Sequence, residues 1–297
     1  MVDISRVGRV LRHLRKNGLG WVVQKTFVAS GLRRLLTSAG RQFGGRKDAA
    51  QDTLYAFYDL NVNPITFDIA WFCVGAELER RARGLGKLEL IVVPGDKDGV
   101  RDESLDYEAV VDCESRVWRI YNMVLPCMYG MKPSASVHFF DDVAQLKAWN
   151  RQPANVYPKG YNHLFFPTPF ATQEYARVIA KLGTNGIENF YTGGLAGRRI
   201  VDGWRRGISA RPRLLVITLR QYGYVVDRNS NLEAWLAFAR SVDKKRYTVV
   251  FVPDADTAFG DYVTEIAKEF PVLREAAFNM PLRTALYEAA FLNMSTL

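Results

Sequence analysis

The stretch "VITLRQYGYVVDRNSNLEAW", residues 216–235, passes from a run of strand-forming apolar residues to Arg220, then through a polar loop carrying Asp227 and Arg228, and into a helix. Ser230 and Glu233 spell S-x-x-E, the pattern of a capping box, so a helix is expected to start there. A short apolar strand, a polar loop and a capped helix make half of a βα unit in a parallel sheet covered on both faces. In such sheets ligands bind beyond the carboxyl ends of the strands, where helix N-termini favour negative charge. Arg220 and Arg228 are forked cations suited to phosphate oxygens, so a diphosphate is the ligand this chemistry fits best.

Downstream, the same alternation continues. "NLEAWLAFARSVDK" reads as a helix, "YTVVFVP" as a strand, "GDYVTEIAKEF" as a helix, "EAAFNM" as a short strand and "LRTALYEAAFLNM" as a final helix. Upstream, "TLYAFYDL" and "LELIVVPG" read as strands separated by a helix ending at Gly84. A helix over about Tyr107–Met128, a strand "ASVHFF", a short helix "DDVAQLKAWN" and a helix "TQEYARVIAKLG" follow. The fold class is therefore α/β, with two Rossmann-like, doubly wound halves. The first spans 48–183 and the second 213–297, with a glycine-rich link at 184–212 containing a short helix around Leu195–Trp204. With the last segment helical, the second half has three strands and reads as incomplete, as a C-terminally truncated chain would.

The 297 residues are 48% hydrophobic and carry a formal net charge of +9. The charge is not spread evenly. Residues 1–47 hold eleven Lys or Arg against one acid, whereas residues 48–297 hold 29 bases and 30 acids. A near-neutral body argues against a nucleic-acid partner, because such binding needs many phosphates neutralised. In the basic leader, Val7, Val10, Leu11 and Leu14 fall on one helical face while Arg6, Arg9, Arg12, Arg15 and Lys16 occupy the rest. That pattern suits an interfacial helix on anionic lipid, a helix packed on the body with its bases in water, or a poorly ordered tail. No secretion signal and no apolar run long enough to span a bilayer is read from the sequence.

Cys73, Cys113 and Cys127 are odd in number and lack C-x-x-C spacing, which points to structural thiols and to no metal site. Asp254 and Asp256 share one loop, too few acids to define a metal centre. "GGLAGRR" at Gly193 follows no strand and is not a dinucleotide fingerprint. A group transfer needing a base would draw on Asp59, Asp68 or His163. Asp59 also reads as a hydrogen-bonded strand-end acid, and Asp68 as a first-turn acid favoured by the helix dipole alone. His138, inside an apolar strand, is expected to be a core histidine.

The two α/β series resemble GT-B-type glycosyltransferases, and "ITLRQYGYVVDRNSNLEAW" and "PLRTALYEAAFLN" are similar to bacterial cell-surface polysaccharide glycosyltransferases. The resemblance spans about residues 53–297. It implies an acceptor-binding first half and a second half that holds a nucleotide-sugar as substrate, with no cofactor or metal. By the same resemblance Arg220 and Arg228 meet the diphosphate, Arg283 assists, and Glu288 faces ribose hydroxyls. The acceptor would be a surface polysaccharide or glycolipid, at the cytoplasmic face of the membrane. A sugar-nucleotide epimerase or hydrolase on the same architecture, or a noncatalytic membrane-associated scaffold, are the alternatives the residues leave open.

Overall fold

A computed structural model describes residues 52–132, 136–140, 142–149, 153–161, 180, 190–208, 210, 211 and 213–295. The basic leader, His163 and, apart from Ala180, the helix expected over 172–183 lie outside the described residues. Residues Ala50–Ala148 and Asn155–Leu297 form one compact unit; the other, Met1–Ala49 with Trp149–Ala154, lies almost wholly outside them.

The architecture is α/β with two wholly parallel sheets. The first contains β1 (Thr53–Asp59), β2 (Lys87–Val93), β3 (Ser136–Phe139) and β4 (Val156–Tyr157), in the order β3-β2-β1-β4. The second contains β5 (Arg213–Thr218), β6 (Tyr247–Val252) and β7 (Ala290–Ser295), in the order β6-β5-β7. β1 is buried along its whole length, and its neighbours run parallel on both sides. Such a strand has no solvent face to mark with polar residues, which is why its sequence is a continuous apolar run.

β5 shows the same logic residue by residue. Leu214 and Val216 belong to one core cluster and Leu215 and Ile217 to another, as the two-residue period of a strand requires. The first cluster is closed by Val201 on α6 (Gly194–Gly207) and by Leu282, Ala285 and Leu286 on α9 (Met280–Ala289). The second is closed by Ala239 on α7 (Leu232–Ser241) and Ile266 on α8 (Asp261–Ala267). Each of the Val, Leu and Ile side chains among these stabilises the sheet by about 1.5–3 kcal/mol when fully buried, and each alanine by less.

In the first half, α1 (Asp68–Ala82) joins β1 to β2 and is followed by Gly84 at φ +64°, a left-handed position that glycine adopts without strain. The helix expected over 107–128 is instead a single turn, α2 (Leu105–Glu108), and a separate run of α3 (Cys113–Arg119), a π turn (Ile120–Val124) and α4 (Leu125–Tyr129). Pro126 explains the wide turn: its ring would collide with the carbonyl four residues back, and a π turn opens that space. α5 (Val143–Trp149) follows β3.

Several expectations are corrected. "EAAFNM" is no strand: Arg274–Ala277 is a 3₁₀ turn, with Ala276 and Ala277 buried. The final helix stops at Ala289, and the chain turns extended to pair β7 with β5, Thr218 opposite Ser295. Neighbour pairing decided this segment, since "AFLNM" fits a helix as readily as a strand. β4 was invisible because two residues between prolines carry no period. The helix in the glycine-rich segment is longer than expected, Gly194–Gly207. His138 is not a core residue. Its side chain is half-buried on β3, with Nε2 3.1 Å from Glu89 Oε2 on the neighbouring strand.

Candidate functional site

The second sheet has a topological switch point. From β5 the chain crosses to β6 on one side and returns to β7 on the other, so the carboxyl ends of β5 and β7 open between divergent connections. A cavity of about 940 Å³ lies there, lined by Thr218 and Arg220 from the end of β5 and by Asn293 and Ser295 from β7. α9 contributes Arg283, Tyr287 and Glu288, the first half supplies Phe67 and Trp71, and the glycine-rich link supplies Tyr191. Arg228 completes the rim, so Arg220, Arg228, Arg283 and Glu288 converge on one space.

The loop after β5 is held differently from the capping box read in the sequence. Asn231, not Ser230, is the N-cap: its side chain accepts the Ala234 N–H at 3.0 Å. Ser230 is buried and turns back instead. Its hydroxyl accepts the Arg220 N–H at 2.8 Å, and its own N–H donates to the Arg220 carbonyl at 2.8 Å. The Asn229 side-chain amide clamps Tyr222 in the same way, accepting its N–H at 3.0 Å and donating to its carbonyl at 3.1 Å. The Gln221 N–H reaches Asp254 Oδ2 at 3.2 Å. These bonds fix the backbone that presents Arg220.

Three guanidiniums face the cavity, and none has a carboxylate within 4 Å among the described residues. Arg283 is only 7% exposed. Its Nε donates to the Tyr287 hydroxyl at 3.0 Å, and its charge sits 4.9 Å from the centre of the Phe67 ring. The Tyr287 hydroxyl also shares a hydrogen bond of 2.6 Å with Thr218 Oγ1. Arg220 lies over the Tyr222 ring at 5.4 Å, and its Nε is buried with no hydrogen-bond partner. A cation without a carboxylate, in a partly desolvated site, is an anion receptor by its electrostatics.

Glu288 is the carboxylate of the cavity, and it is engaged. Lys132 Nζ lies 3.3 Å from Oε1; the Gly193 N–H at 3.3 Å and Arg198 at 3.5 Å meet Oε2. Burial pushes its pKa up, but the Gly193 N–H and the Lys132 and Arg198 charges outweigh that and hold the carboxyl below its ordinary range. The glycines of "GGLAGRR" have a packing role here. A Cβ on Gly193 would fall 2.4 Å from the Ala285 Cβ, and one on Gly197 2.9 Å from the Pro281 carbonyl oxygen, so α6 crosses α9 at backbone contact.

Asp59 and Asp68 sit in different settings, and His163 lies outside the described residues. Asp59 is buried, with Oδ1 accepting from the Asn61 N–H (2.9 Å) and Nδ2 (3.1 Å) and Oδ2 from the Tyr161 hydroxyl (2.8 Å). Burial raises its pKa against those hydrogen bonds, and it does not line the cavity. Asp68 accepts from the Thr66 hydroxyl at 3.0 Å at the start of α1, directly after Phe67 and one turn before Trp71, both on the cavity wall.

The cysteines are all free. Cys127 lines the cavity, and burial pushes its thiol up to about 12, with Arg283 pulling the other way. It is protonated at neutral pH and no ready nucleophile. Asp254 is raised by burial, while Asp256 pairs with Arg119 at 2.6 Å. No group of three or more His, Cys, Asp or Glu arranged for a metal occurs among the described residues, and no described helix is long and apolar enough to cross a membrane.

Tyr287, Thr218, Phe67 and Trp71 were missed in the sequence. Tyr287 had a signal, standing four residues after Arg283 on one helical face.

No family model and no curated protein matches the sequence. Among solved structures the chain is similar to a glycosyl transferase family 9 protein from Veillonella parvula, at 11% identity and a TM-score of 0.40, over 85% of this chain and 83% of that one. At that distance the likeness carries no argument about the site.

Proposed function

We propose that the protein is a glycosyltransferase that binds a nucleotide-diphosphate sugar at the switch point of the second sheet and transfers the sugar to a glycan or glycolipid acceptor held on the first half, in a GT-B-like arrangement. The observation that carries this reading is the convergence of Arg220, Arg228 and Arg283, without carboxylate partners, on one cavity beside Phe67, Trp71 and Tyr191. The charges suit a diphosphate and the rings suit a flat base or a sugar face.

In the transfer, an acceptor hydroxyl attacks the anomeric carbon as the bond to the diphosphate oxygen breaks, and that oxygen leaves with the electron pair. The guanidiniums stabilise the charge that develops there, so the residues themselves supply what a metal ion would supply in other enzymes. A base takes the hydroxyl proton. We assign that role to Asp68, because α1 carries it beside the Phe67 and Trp71 wall, whereas Asp59 is buried, held by three hydrogen bonds and not on the cavity wall. The acceptor class belongs to the same proposal and rests on the resemblance to polysaccharide glycosyltransferases; the placement of the protein at the cytoplasmic membrane face by Arg6, Arg9, Arg12, Arg15 and Lys16 rests on the leader's sequence pattern.

Calorimetry with UDP-, GDP-, ADP- and CMP-linked sugars tests the reading. Binding of at least one, lost in Arg283→Ala, is expected; a protein that binds none of them is not this enzyme. Deleting residues 1–47 is expected to abolish sedimentation with anionic vesicles, and undiminished sedimentation would refute the membrane assignment.

A further inference from the structure

Among the described residues, Arg220 has a buried Nε with no hydrogen-bond partner and no carboxylate within 4 Å of its charge. An arginine so placed needs something other than an ion pair to aim it. What it meets is the ring of Tyr222, 5.4 Å from the guanidinium carbon. The same ring lies 5.7 Å from the guanidinium of Arg119, a residue of the first half.

Two like charges over one ring repel, so the arrangement needs compensation on one side. Asp256 supplies it: its Oδ2 lies 2.6 Å from Arg119 Nη2, making that pair neutral. The uncompensated cation of the group is Arg220, the one on the cavity wall. Tyr222 itself has little freedom, because the Asn229 amide holds both its N–H and its carbonyl. Tyr107 and Tyr224, edge to face at 5.1 Å, continue the aromatic contact between the first half and this loop.

We propose that Tyr222 is a positioning residue: its ring, steadied by the Arg119–Asp256 pair, aims Arg220 at a diphosphate in the cavity. The inference rests on the diphosphate reading above and adds a residue that touches no substrate. It also explains why a loop of the second half should be tied to a helix of the first. The ring that orients the phosphate-binding cation is braced from across the cleft.

Titration of inorganic pyrophosphate into the full-length protein separates the two ideas. Tyr222→Phe keeps the ring and is expected to bind as the wild type does. Tyr222→Leu is expected to weaken binding about threefold to tenfold, the range of a partly desolvated cation–π contact. In an Arg220→Ala background the same leucine is expected to change nothing further, which a merely structural role would not produce. Asp256→Asn, which frees Arg119 without touching the ring, is expected to weaken binding about twofold, and it carries the test should Tyr222→Leu not fold.

A wild type that binds no pyrophosphate overturns the diphosphate reading and this proposal with it. If Arg220→Ala weakens binding while Tyr222→Leu and Asp256→Asn do not, or if the losses from Tyr222→Leu and Arg220→Ala multiply, the proposal falls and the diphosphate reading stands.

Discussion

Ser230 and Arg220 exchange two hydrogen bonds of 2.8 Å each, one between backbone groups and one from the Arg220 N–H to the Ser230 hydroxyl. Ten residues apart, they close the loop that follows the central strand of the second sheet. Arg220 therefore meets the cavity on a backbone clamped from behind, and a guanidinium can only be aimed if its Cα is fixed first.

Ser230→Ala removes the acceptor of the Arg220 N–H inside a buried turn. An unsatisfied buried donor costs about 1–3 kcal/mol, so the urea midpoint is expected to fall correspondingly with an unchanged slope. Ser230→Thr keeps the oxygen and is expected to recover most of the loss. Equal stability of the alanine variant and the wild type would show that the hydroxyl does not hold the loop.

Arg283 makes the opposite kind of prediction. A buried guanidinium with no carboxylate within 4 Å among the described residues is a cost to the folded state that the Tyr287 hydrogen bond and the Phe67 ring offset only in part. Arg283→Met, which fills the same volume, is expected to leave the ligand-free protein at least as stable, while weakening nucleotide-diphosphate binding about 10- to 100-fold, as loss of a charged hydrogen-bonding group does. Arg283→Lys should not rescue it, because an ammonium lacks the planar fork. A methionine variant that is destabilised yet still binds would make Arg283 a strut instead of a ligand group.

How far the sequence spoke depended on whether a feature was periodic. β1, β2, β5 and β6 were legible because strands covered on both faces have no alternative but an apolar run. β4 and β7 were not. Two residues carry no period, and β7 is a largely exposed strand whose conformation comes from pairing with β5. At the site, Arg220 and Arg228 were legible as charges beyond a strand end, Arg283 and Glu288 entered only through the resemblance, and the partners of these residues were not legible. Lys132 lies 156 positions before Glu288, and Arg119 lies 137 before Asp256, separations that only the folded chain brings to contact. Ser230 was misread for a local reason: a serine before a helix fits a cap, and nothing in the sequence shows that Asn231 takes that place.

The glycines of α6 separate packing from backbone freedom. Gly193 has ordinary helical dihedrals, so Gly193→Ala is a purely steric test: the new methyl group meets Ala285 at 2.4–2.5 Å. Forcing α6 and α9 apart is expected to cost about 1–3 kcal/mol and to pull the Gly193 N–H from Glu288. Gly203 has only the far end of Arg206 near it, at 3.8 Å. Gly203→Ala is expected to stabilise by about 0.5–1 kcal/mol through helix propensity. Thermal melts of the two variants moving in the same direction would contradict the close crossing.

Glu288 links the first half to the second through its contact with Lys132, and that link is titratable. Its carboxyl is held below the ordinary value of 4.5, with burial opposing and the Gly193 N–H, Lys132 and Arg198 prevailing. A depressed folded value means the folded state binds the proton more weakly than the unfolded chain does. The ionised carboxylate therefore stabilises fully above about pH 4.5 and loses its effect as the pH falls through the depressed value. Glu288→Gln is expected to melt below the wild type at pH 7, with the gap constant down to about pH 5 and shrinking below pH 4.5. Lys132→Met, which removes one of the two cations, is expected to reduce the gap at pH 7 without moving the pH at which it starts to close by more than about one unit. A gap that stays constant to pH 3 would mean that the Glu288 carboxylate contributes nothing through its charge, and that the contact between Lys132 and α9 is incidental.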